Sequence, residues 1–451
     1  MRSMDNKLLI ISYAFPPDSS VGSLRPGSIA KYLPEFGWSP HTVTVHQDQV
    51  DKVDQDLKRS MERFGIVYRS RCFTNPLRYL AAIKKLVNRK SIVATVDISR
   101  PVEVSAGKNG SRLKSMLITL LTTPDEFLGW IPSAARTSLG VLRAQNIRFM
   151  LSSAPPYSCH LVALIVKVLR PHTQWLADFR DPMVSNEMLY TGKMPALAKT
   201  INGWFERMIL RHADVVLCVN GAIAQDFKVR YHGRYDRKLK VLPNGFDAEE
   251  FDTVTPHKYQ QGMIVISYFG NLYGNRDGRP LLSSLHDIFF DRPEFKERIL
   301  LRFVGTRTPS VNTLLLREAA RLGLDKVVEV VDHVSRNEAI SLMKGSDILF
   351  LTQPDAPLQV PLKLYEYLAC RKWILAITGD GATRDIIEST NSGIVVYPDD
   401  SEGLKKALLK SIDCQVCGGV EASRANINIF ERRNTVKCLA EMMDVICASL
   451  S

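Results

Sequence analysis

A lysine and a glutamate stand three residues apart in the segment QVPLKLYEYLACRKWILA, residues 359–376. Pro361 suits the first turn of a helix, so Lys363 and Glu366 would share one face of that helix. A lysine beside a helix amino end can neutralise a phosphate, and an ionised glutamate one turn later can accept hydrogen bonds from both hydroxyls of a ribose. A surface ion pair has the same spacing, and on spacing alone it is the commoner explanation.

Two glycine-rich segments that follow apolar runs suggest further contacts for an anion. The first, YAFPPDSSVGSLRPGSIAKYL, contains Gly22 and Gly27 before an expected helix. Glycines allow backbone amides to approach a phosphate, and a helix amino end favours negative charge. This segment lacks both GxGxxG and a Walker A ending, so a mere turn is its alternative. The second, FGNLYGNRDGRP, carries Arg276 and Arg279, whose guanidinium groups suit phosphate oxygens but could also simply contact water.

The elements that must position these residues are strands alternating with helices. Strand-like runs in the first half are KLLIISYAF, FMLSSA, QWLADF and DVVLCVN, and those in the second are MIVISYFG, ILLRFVG, VVEVVD, DILFLT, WILAI and GIVVY. Continuous apolar strands of this kind predict parallel sheets covered on both faces, with ligands bound at the strands' carboxyl ends. The series divides near Asn244-Gly245. We therefore expect an α/β protein with two Rossmann-like domains that face a central cleft.

The expected domains are residues 1–245, residues 246–430 and a C-terminal helix at 431–451. A basic insertion, from about 51 to 125, interrupts the first domain. Its stretch 58–90 carries ten basic residues against one acid, Glu62. Within it, NPLRYLAAIKKLVNRK places Leu77, Leu80, Ile83 and Leu86 on one helical stripe. Such a helix either lies on an anionic membrane or packs on its own domain, and both interpretations stay open.

The composition indicates a folded protein with anionic partners. Of the 451 residues, 45% are apolar, and the formal net charge is +12 at pH 7. That charge suits nucleic acid, phosphorylated ligands or acidic lipids, but the basic segment has no nucleic-acid recognition motif, so we expect no nucleic acid partner. MRSMDNK leads straight into a strand-like run, and no window has the apolar length of a membrane span. We therefore expect a cytoplasmic protein, either free or peripheral on the inner face of the cell membrane.

The sequence predicts no metal site. Cys414 and Cys417 are close together, as CQVC, but no second pair or histidine cluster completes a zinc site, so reduced structural thiols are expected. Asp54 and Asp56 form an Asp-x-Asp, but it lies in the polar insertion rather than after a core strand, so we interpret it as a chance match. His160 is interpreted as part of a packed helix.

Taken in order, eight motifs carry a resemblance to a known family: SYAFPPDSSVGSLRPGSIAKYL, SSAPPYSCHL, LADFRDP, VLPNGFD, YFGNLYG, FVGTR, SDILFL and VPLKLYEYLACRKWILA. Together, over nearly the whole chain, they resemble a GT-B glycosyltransferase of retaining family 4, in the branch that builds bacterial surface polysaccharides such as lipopolysaccharide and capsule. The resemblance implies transfer of a sugar from a nucleotide-sugar donor to a hydroxyl of a glycan or lipid-linked acceptor. It implies no cofactor and no required metal, and a last helix that crosses back to the first domain.

The resemblance also implies roles for individual residues. Glu366 matches the family's ribose-binding glutamate, and Arg276 and Lys363 match the basic pair on the donor's diphosphate. Gly22 would bring backbone amides toward donor phosphate or sugar. The remaining expected donor-binding residues lie in the same motifs: Gly270, Asn271 and Leu364.

The sequence departs from the family pattern at two places. Many members have a glutamate eight residues before the ribose-binding one, where this chain has Leu358, with Asp355 the nearest carboxylate. Many members also place a histidine after a first-domain strand, where this chain reads ADFRDP. Asp178, Arg180 and Asp181 occupy that region and are the candidate catalytic residues, although buried ion pairs are an equal alternative. The departures leave two other functions open: a non-catalytic membrane-associated protein with a degenerate transferase fold, or a nucleotide-sugar epimerase of the same fold.

Overall fold

The structure is a computed structural model, and it describes residues 6–50, 52–59, 61–73, 116, 119–120, 122–185, 196–272, 275–306, 308–417 and 427–450. The chain divides into two compact units: the first is Met1–Pro243 with Val436–Ser451, and the second is Asn244–Thr435. The amphipathic stripe expected within 75–90 lies outside the described residues.

The first unit is built on a seven-stranded sheet in which every neighbouring pair is parallel, in the order β3-β2-β1-β4-β5-β6-β7. Its strands are β1 Asn6–Ile11, β2 Trp38–Val45, β3 Ile66–Ser70, β4 Phe149–Ala154, β5 Gln174–Phe179, β6 Val215–Cys218 and β7 Leu239–Val241. Its helices are α1 Val21–Tyr32, α2 Gln55–Arg59, α3 Ile131–Ala144, α4 Ser158–Leu169, α5 Ala196–His212 and α6 Gly221–Arg230.

The second unit contains a six-stranded parallel sheet in the order β10-β9-β8-β11-β12-β13. Its strands are β8 Ile264–Phe269, β9 Ile299–Val304, β10 Val328–Val331, β11 Ile348–Gln353, β12 Trp373–Thr378 and β13 Gly393–Val396. Its helices are α7 Ala248–Asp252, α8 Arg279–Asp291, α9 Pro309–Arg321, α10 Arg336–Gly345, α11 Leu362–Cys370, α12 Ala382–Thr390 and α13 Ser401–Val416. The predicted α/β class with two parallel sheets is confirmed.

Strand β2 was not predicted, and its sequence explains why. WSPHTVTV contains Pro40, which cannot donate a ladder hydrogen bond, and few large apolar side chains. The strand forms because its pairing with β3 begins at His41, one residue after the proline. All of its residues except Ser39 are buried, so small and polar side chains fill the space between the sheet and its covering helices.

Helix α1 begins earlier than the sequence predicts. Gly22 and Gly27 were expected in the loop before it, but both lie within the helix. Pro26 also lies inside it, and because proline has no backbone N–H, the carbonyl of Gly22 four residues earlier has no helical donor. Gly27 packs so closely on Pro16 that an added Cβ would lie 2.9 Å from the proline Cγ. Pro26 and Gly27 are therefore helical residues: the proline leaves the Gly22 carbonyl available to another donor, and the glycine allows close packing on Pro16.

The last helix, α14, spans Arg432–Leu450 and belongs to the first unit from Val436 onward. Its apolar face joins a core cluster that includes Leu8 and Leu151 of the first sheet. The residues of that face are Val436, Leu439, Ala440 and Met443. Trp38 adds a hydrogen bond from its indole nitrogen to Asp444, at 2.9 Å. The final residues of the chain are therefore part of the first unit's core.

The two ends of the second unit are paired with each other. Phe246 donates its amide to the carbonyl of Phe430 at 3.0 Å, and Arg432 donates to the carbonyl of Phe246 at 2.8 Å. Gly245 lies so close to this partner segment that an added Cβ would be 1.8 Å from the Phe430 carbonyl oxygen. Glycine is therefore required at 245 for close backbone approach.

Candidate functional site

Lys363 lies at the start of α11, where that helix follows strand β11. Its ammonium donates to the hydroxyl of Tyr268 at 2.8 Å and lies 3.9 Å from the centre of the same ring. Gly270 follows Tyr268 with a φ of +97°, and an added Cβ there would be 3.4 Å from the lysine nitrogen. The end of β8 therefore anchors the lysine through Tyr268, and Gly270 in the turn after it leaves room for the lysine side chain.

The electrostatics of Lys363 are unusual for a lysine. Burial is the main cause that lowers its pKa to about 7, the positive charge of Arg276 lowers it further, and Glu366 acts in the opposite direction. Arg276 donates to the side-chain oxygen of Gln353 at 3.0 Å, at the end of β11. Within the described residues, Tyr268 is the one hydrogen-bond partner of the ammonium. Two cations are thus gathered at the carboxyl ends of β8 and β11, an arrangement that an anion would stabilise.

Glu366 does not pair with Lys363, contrary to the surface-pair alternative. Its carboxylate instead forms an ion pair through Oε1 with Arg336, the first residue of α10. Arg336 also binds Glu250 at 2.9 Å. The Glu366 side chain is 13% exposed, so the carboxylate is held at the surface of the unit rather than free in solvent. The two residues highlighted by their spacing therefore have separate partners and can have separate tasks.

The other predicted donor-binding residues of the second unit, Gly270, Asn271 and Leu364, make contacts within that unit. The amide of Gly270 donates to Val304 at 2.8 Å, so it is used within the sheet. The carbonyl of Asn271 accepts a hydrogen bond from Tyr268 at 2.9 Å, which fixes the ring beside Lys363. Leu364 is completely buried in an apolar cluster. The amide of Gly270, the carbonyl of Asn271 and the side chain of Leu364 are therefore used within the second unit, while the side chain of Asn271 is exposed.

The loop that carries the unusual Leu358 is also tied to this site. Gln353 accepts from Arg276 and donates to the carbonyl of Gln359 at 2.9 Å. Asp355, the carboxylate nearest to Leu358 in sequence, accepts a hydrogen bond from Asn275. Asp355 is therefore hydrogen-bonded to the glycine-rich turn after β8, while Leu358 is only partly exposed.

In the first unit, Asp178 lies at the end of β5 and is completely buried. Arg25 of α1 contacts both of its oxygens, with distances of 2.8 to 3.1 Å, and Ser153 donates to it at 2.7 Å. Arg25 also donates to the carbonyls of Leu242 and Pro243. Burial acts to raise the pKa of Asp178, but Arg25 and the Ser153 hydrogen bond together outweigh it, so the pKa is lowered. The ion pair thus joins α1 to the sheet, and Arg25 also joins α1 to the last residues of the first unit before Asn244.

Arg180 makes a second connection to α1. It donates to the carbonyl of Gly22 at 2.6 Å, the carbonyl that Pro26 leaves without a helical donor, and also to Pro155. Burial lowers the pKa of Arg180, although Asp178 raises it. Asp181, the third candidate catalytic residue, is partly exposed. The structure therefore brings Gly22, Asp178 and Arg180 together, with hydrogen bonds that hold the fold.

His160 is buried in α4, with Nδ1 2.7 Å from the hydroxyl of Ser152. Trp175 donates to the same hydroxyl at 2.8 Å. Burial lowers the pKa of His160 to about 3, so the ring is neutral at pH 7. This environment is that of a packing residue.

An open pocket of about 650 Å³ lies in the first unit, against one face of α5. Trp204 is 54% exposed there. The pocket lining includes Lys199, Thr200, Trp204, Arg207 and Tyr231. Its basic and aromatic character suits a phosphorylated or sugar-bearing ligand.

Among the described residues, no three His, Cys, Asp or Glu side chains are grouped so that they could hold a metal ion. In the same part of the chain, no helix has both the length and the apolar character needed to cross a bilayer.

Sequence reasoning missed three residues that shape these sites: Arg336, Tyr268 and Arg25. Ser335 is a typical helix N-cap, and it follows the apolar run of β10. The sequence could therefore have placed Arg336 near the carboxyl end of that strand. Tyr268 lies within the MIVISYFG run and looked like a core residue. Arg25 lies in the glycine-rich segment, but nothing in the spacing points to Asp178, 153 residues away.

This architecture is similar to that of known glycosyltransferases. Residues 289–429 match the family model described as Glycosyl transferases group 1. No curated protein matches the chain. A glycosyltransferase from Rickettsia africae has a similar structure, with a TM-score of 0.63, 15% identity and coverage of 98% of this chain and 99% of its own.

Two further solved structures are similar over the full length. Sucrose-phosphate synthase from Thermosynechococcus elongatus gives a TM-score of 0.60 at 14% identity, with 99% of each chain covered. HepE from Anabaena, solved in complex with UDP, gives 0.57 at 14% identity, with 97% of this chain and 95% of its own covered. The chain therefore has the GT-B glycosyltransferase fold, and the group 1 match in its second unit supports glycosyl transfer as its chemistry.

Proposed function

We propose that this protein transfers a sugar from a nucleotide-sugar donor to an acceptor hydroxyl, with retention of the anomeric configuration. The observation that carries the proposal is the pair of cations, Lys363 and Arg276, at the carboxyl ends of two strands of the second unit. Glu366 lies one turn beyond Lys363, at a suitable spacing for a ribose. That a similar structure holds UDP supports a nucleotide as the anionic ligand.

In the proposed reaction, Lys363 and Arg276 neutralise the diphosphate as negative charge develops on this leaving group. Lys363 is fixed by Tyr268 before the ligand arrives, so little reorganisation is needed. The carboxylate of Glu366 accepts a hydrogen bond from the ribose. The acceptor oxygen bonds to the anomeric carbon on the face from which the diphosphate departs, and its proton passes to an oxygen of the departing phosphate. The two cations make a metal ion unnecessary.

The acceptor is proposed to be a glycan or lipid-linked glycan of the cell surface, bound by the first unit. The pocket on α5 supports this proposal, because Trp204 offers a ring to stack on a sugar while Lys199 and Arg207 suit a phosphate. We propose a cytoplasmic location with contact to the inner face of the cell membrane, supported by the basic sequence between residues 58 and 90.

A panel of nucleotide-sugar donors tests the proposed reaction. Wild-type protein should be thermally stabilised by at least one donor, and nuclear magnetic resonance of the product should show a retained anomeric configuration, with EDTA having no effect. Glu366→Ala should lose this stabilisation, whereas Glu388→Ala, which removes an exposed glutamate paired with Arg384, should keep it. A wild type that neither binds nor converts any nucleotide sugar contradicts the proposal, and an epimerised free donor would instead identify an epimerase.

Liposome sedimentation tests the membrane part. Lys84, Lys85, Arg89 and Lys90, which lie outside the described residues, are changed together to Gln. Wild type should sediment with anionic vesicles and the quadruple variant should not. Equal sedimentation of the two proteins would show that this segment does not bind membrane.

A further inference from the structure

Arg336 is held more firmly than a surface arginine usually is. It begins α10 directly after Ser335, whose hydroxyl accepts a hydrogen bond from the amide of Glu338 and so fixes the start of that helix. Two nitrogens of its guanidinium bind one oxygen of Glu250, at 2.9 and 3.3 Å. Its central carbon lies 5.7 Å from the ring centre of Phe251. The group is therefore fixed from α7 independently of its contact with Glu366.

Only one oxygen of Glu366 takes part in the ion pair. Nη1 of Arg336 contacts Oε1, and among the described residues Oε2 accepts no hydrogen bond. The carboxylate cannot turn freely, because rotation would break the contact with an arginine that is itself anchored on Glu250. The second oxygen is thus held in a defined direction at the edge of the unit.

We propose that Arg336 is a positioning residue for the donor: it holds Oε1 of Glu366, so that Oε2 is presented to one ribose hydroxyl of the nucleotide. The inference rests on the proposed function and adds a specificity to it. A carboxylate that turns freely can place one oxygen on each ribose hydroxyl. With Oε1 fixed on Arg336, Oε2 points in one direction and lies nearer to one hydroxyl than to the other. Binding should therefore depend strongly on one hydroxyl and weakly on the other.

The probes are UDP, 2′-deoxy-UDP and 3′-deoxy-UDP, bound to the full-length protein and measured by calorimetry. Wild type should bind one of the deoxy compounds at least about tenfold more weakly than UDP, because a hydrogen bond to a charged acceptor is lost, and the other nearly as well as UDP. Arg336→Gln should remove most of this difference between the two deoxy compounds. Arg336→Lys, which keeps the charge but not the planar fork, should retain part of it.

Glu250→Gln is the matched control, because it removes the charge of the other partner of Arg336 but keeps an oxygen that can accept the anchoring hydrogen bonds, and it leaves the Glu366 contact in place. It should keep most of the discrimination. A merely structural role for Arg336 would weaken all three ligands equally, and a folded Arg336→Gln or Arg336→Lys protein that discriminates as well as wild type would overturn the inference. Wild-type protein that binds no nucleoside diphosphate overturns the proposed function itself, which is a separate outcome.

Discussion

The ammonium of Lys363 donates to the hydroxyl of Tyr268 at 2.8 Å while lying over the same aromatic ring. The contact holds a partly buried lysine beside Arg276, and in the described residues no carboxylate forms an ion pair with it. Such an arrangement costs stability in the absence of a ligand and becomes favourable when an anion binds.

Replacing Lys363 by Met should therefore separate stability from binding. The unliganded variant should gain about 1–2 kcal/mol in free energy of unfolding at pH 7, because a desolvated charge is removed. Its affinity for UDP should fall by more than about tenfold. Thermal melts with and without UDP check both effects, with Lys406→Gln, a change at an exposed lysine, as control. A variant that loses stability and keeps full affinity would contradict this role.

The pKa of Lys363 near 7 predicts a pH dependence of donor binding. A bound diphosphate favours the charged lysine and so raises its pKa, which means that binding takes up protons and weakens as the pH rises above 7. Calorimetry in buffers of different ionisation enthalpy measures this uptake. Lys363→Arg, which stays charged, should give a flat profile between pH 7 and 9. A flat profile for wild type would count against the assignment.

The same pKa predicts that the stability of the unliganded protein rises with pH, whereas donor binding weakens with pH. Between pH 7 and 10.5 the unfolded chain binds more protons at Lys363 than the folded chain does, so its contribution to the free energy of unfolding rises with pH. Denaturant titrations of wild type and Lys363→Met at several pH values check this. The stability difference between the two proteins should shrink as the pH rises through that window.

Because Asp178 forms a buried ion pair with Arg25, we predict that this candidate catalytic residue stabilises the fold and takes no part in the reaction. Asp178→Asn should cost about 3–5 kcal/mol of stability, because Arg25 stays buried without its counter-charge. Transfer activity per folded molecule, measured at low temperature, should stay close to wild type. Asp291→Asn, at an exposed ion pair, should leave the melting temperature unchanged. Loss of turnover in folded Asp178→Asn would restore the catalytic assignment.

Trp204 offers a test of the proposal that the pocket on α5 binds the acceptor. Trp204→Ala and Arg207→Gln should each raise the acceptor KM by about tenfold while leaving donor affinity unchanged, because both side chains line the pocket. Arg211→Gln lies on the same helix outside the lining and serves as control. Unchanged acceptor KM in both variants would place the acceptor elsewhere.

The sequence predicted those parts of the fold that local pattern determines. The strands of the second sheet are mainly apolar, although β9 contains Arg302 and β10 contains Glu329. Lys363 could be placed because its helix is the next one after such a run. Strand β2 escaped prediction because its burial depends on small polar side chains, and the start of α1 because Pro26 and Gly27 are more common in loops. The partners of Glu366 and Asp178 could not be inferred, since Arg336 and Arg25 are brought to them only by tertiary folding.

The pairing of the two ends of the second unit, at Phe246 and Phe430, has a consequence for synthesis of the protein. The second unit is an uninterrupted stretch of chain, whereas the first is completed only by α14, at the very end. On the ribosome, residues 244–435 can fold as soon as they emerge, while the core around Leu8 still lacks Val436 and Leu439. The unit whose translation begins first is therefore the one finished last, and a premature stop before α14 would damage it and spare the second unit.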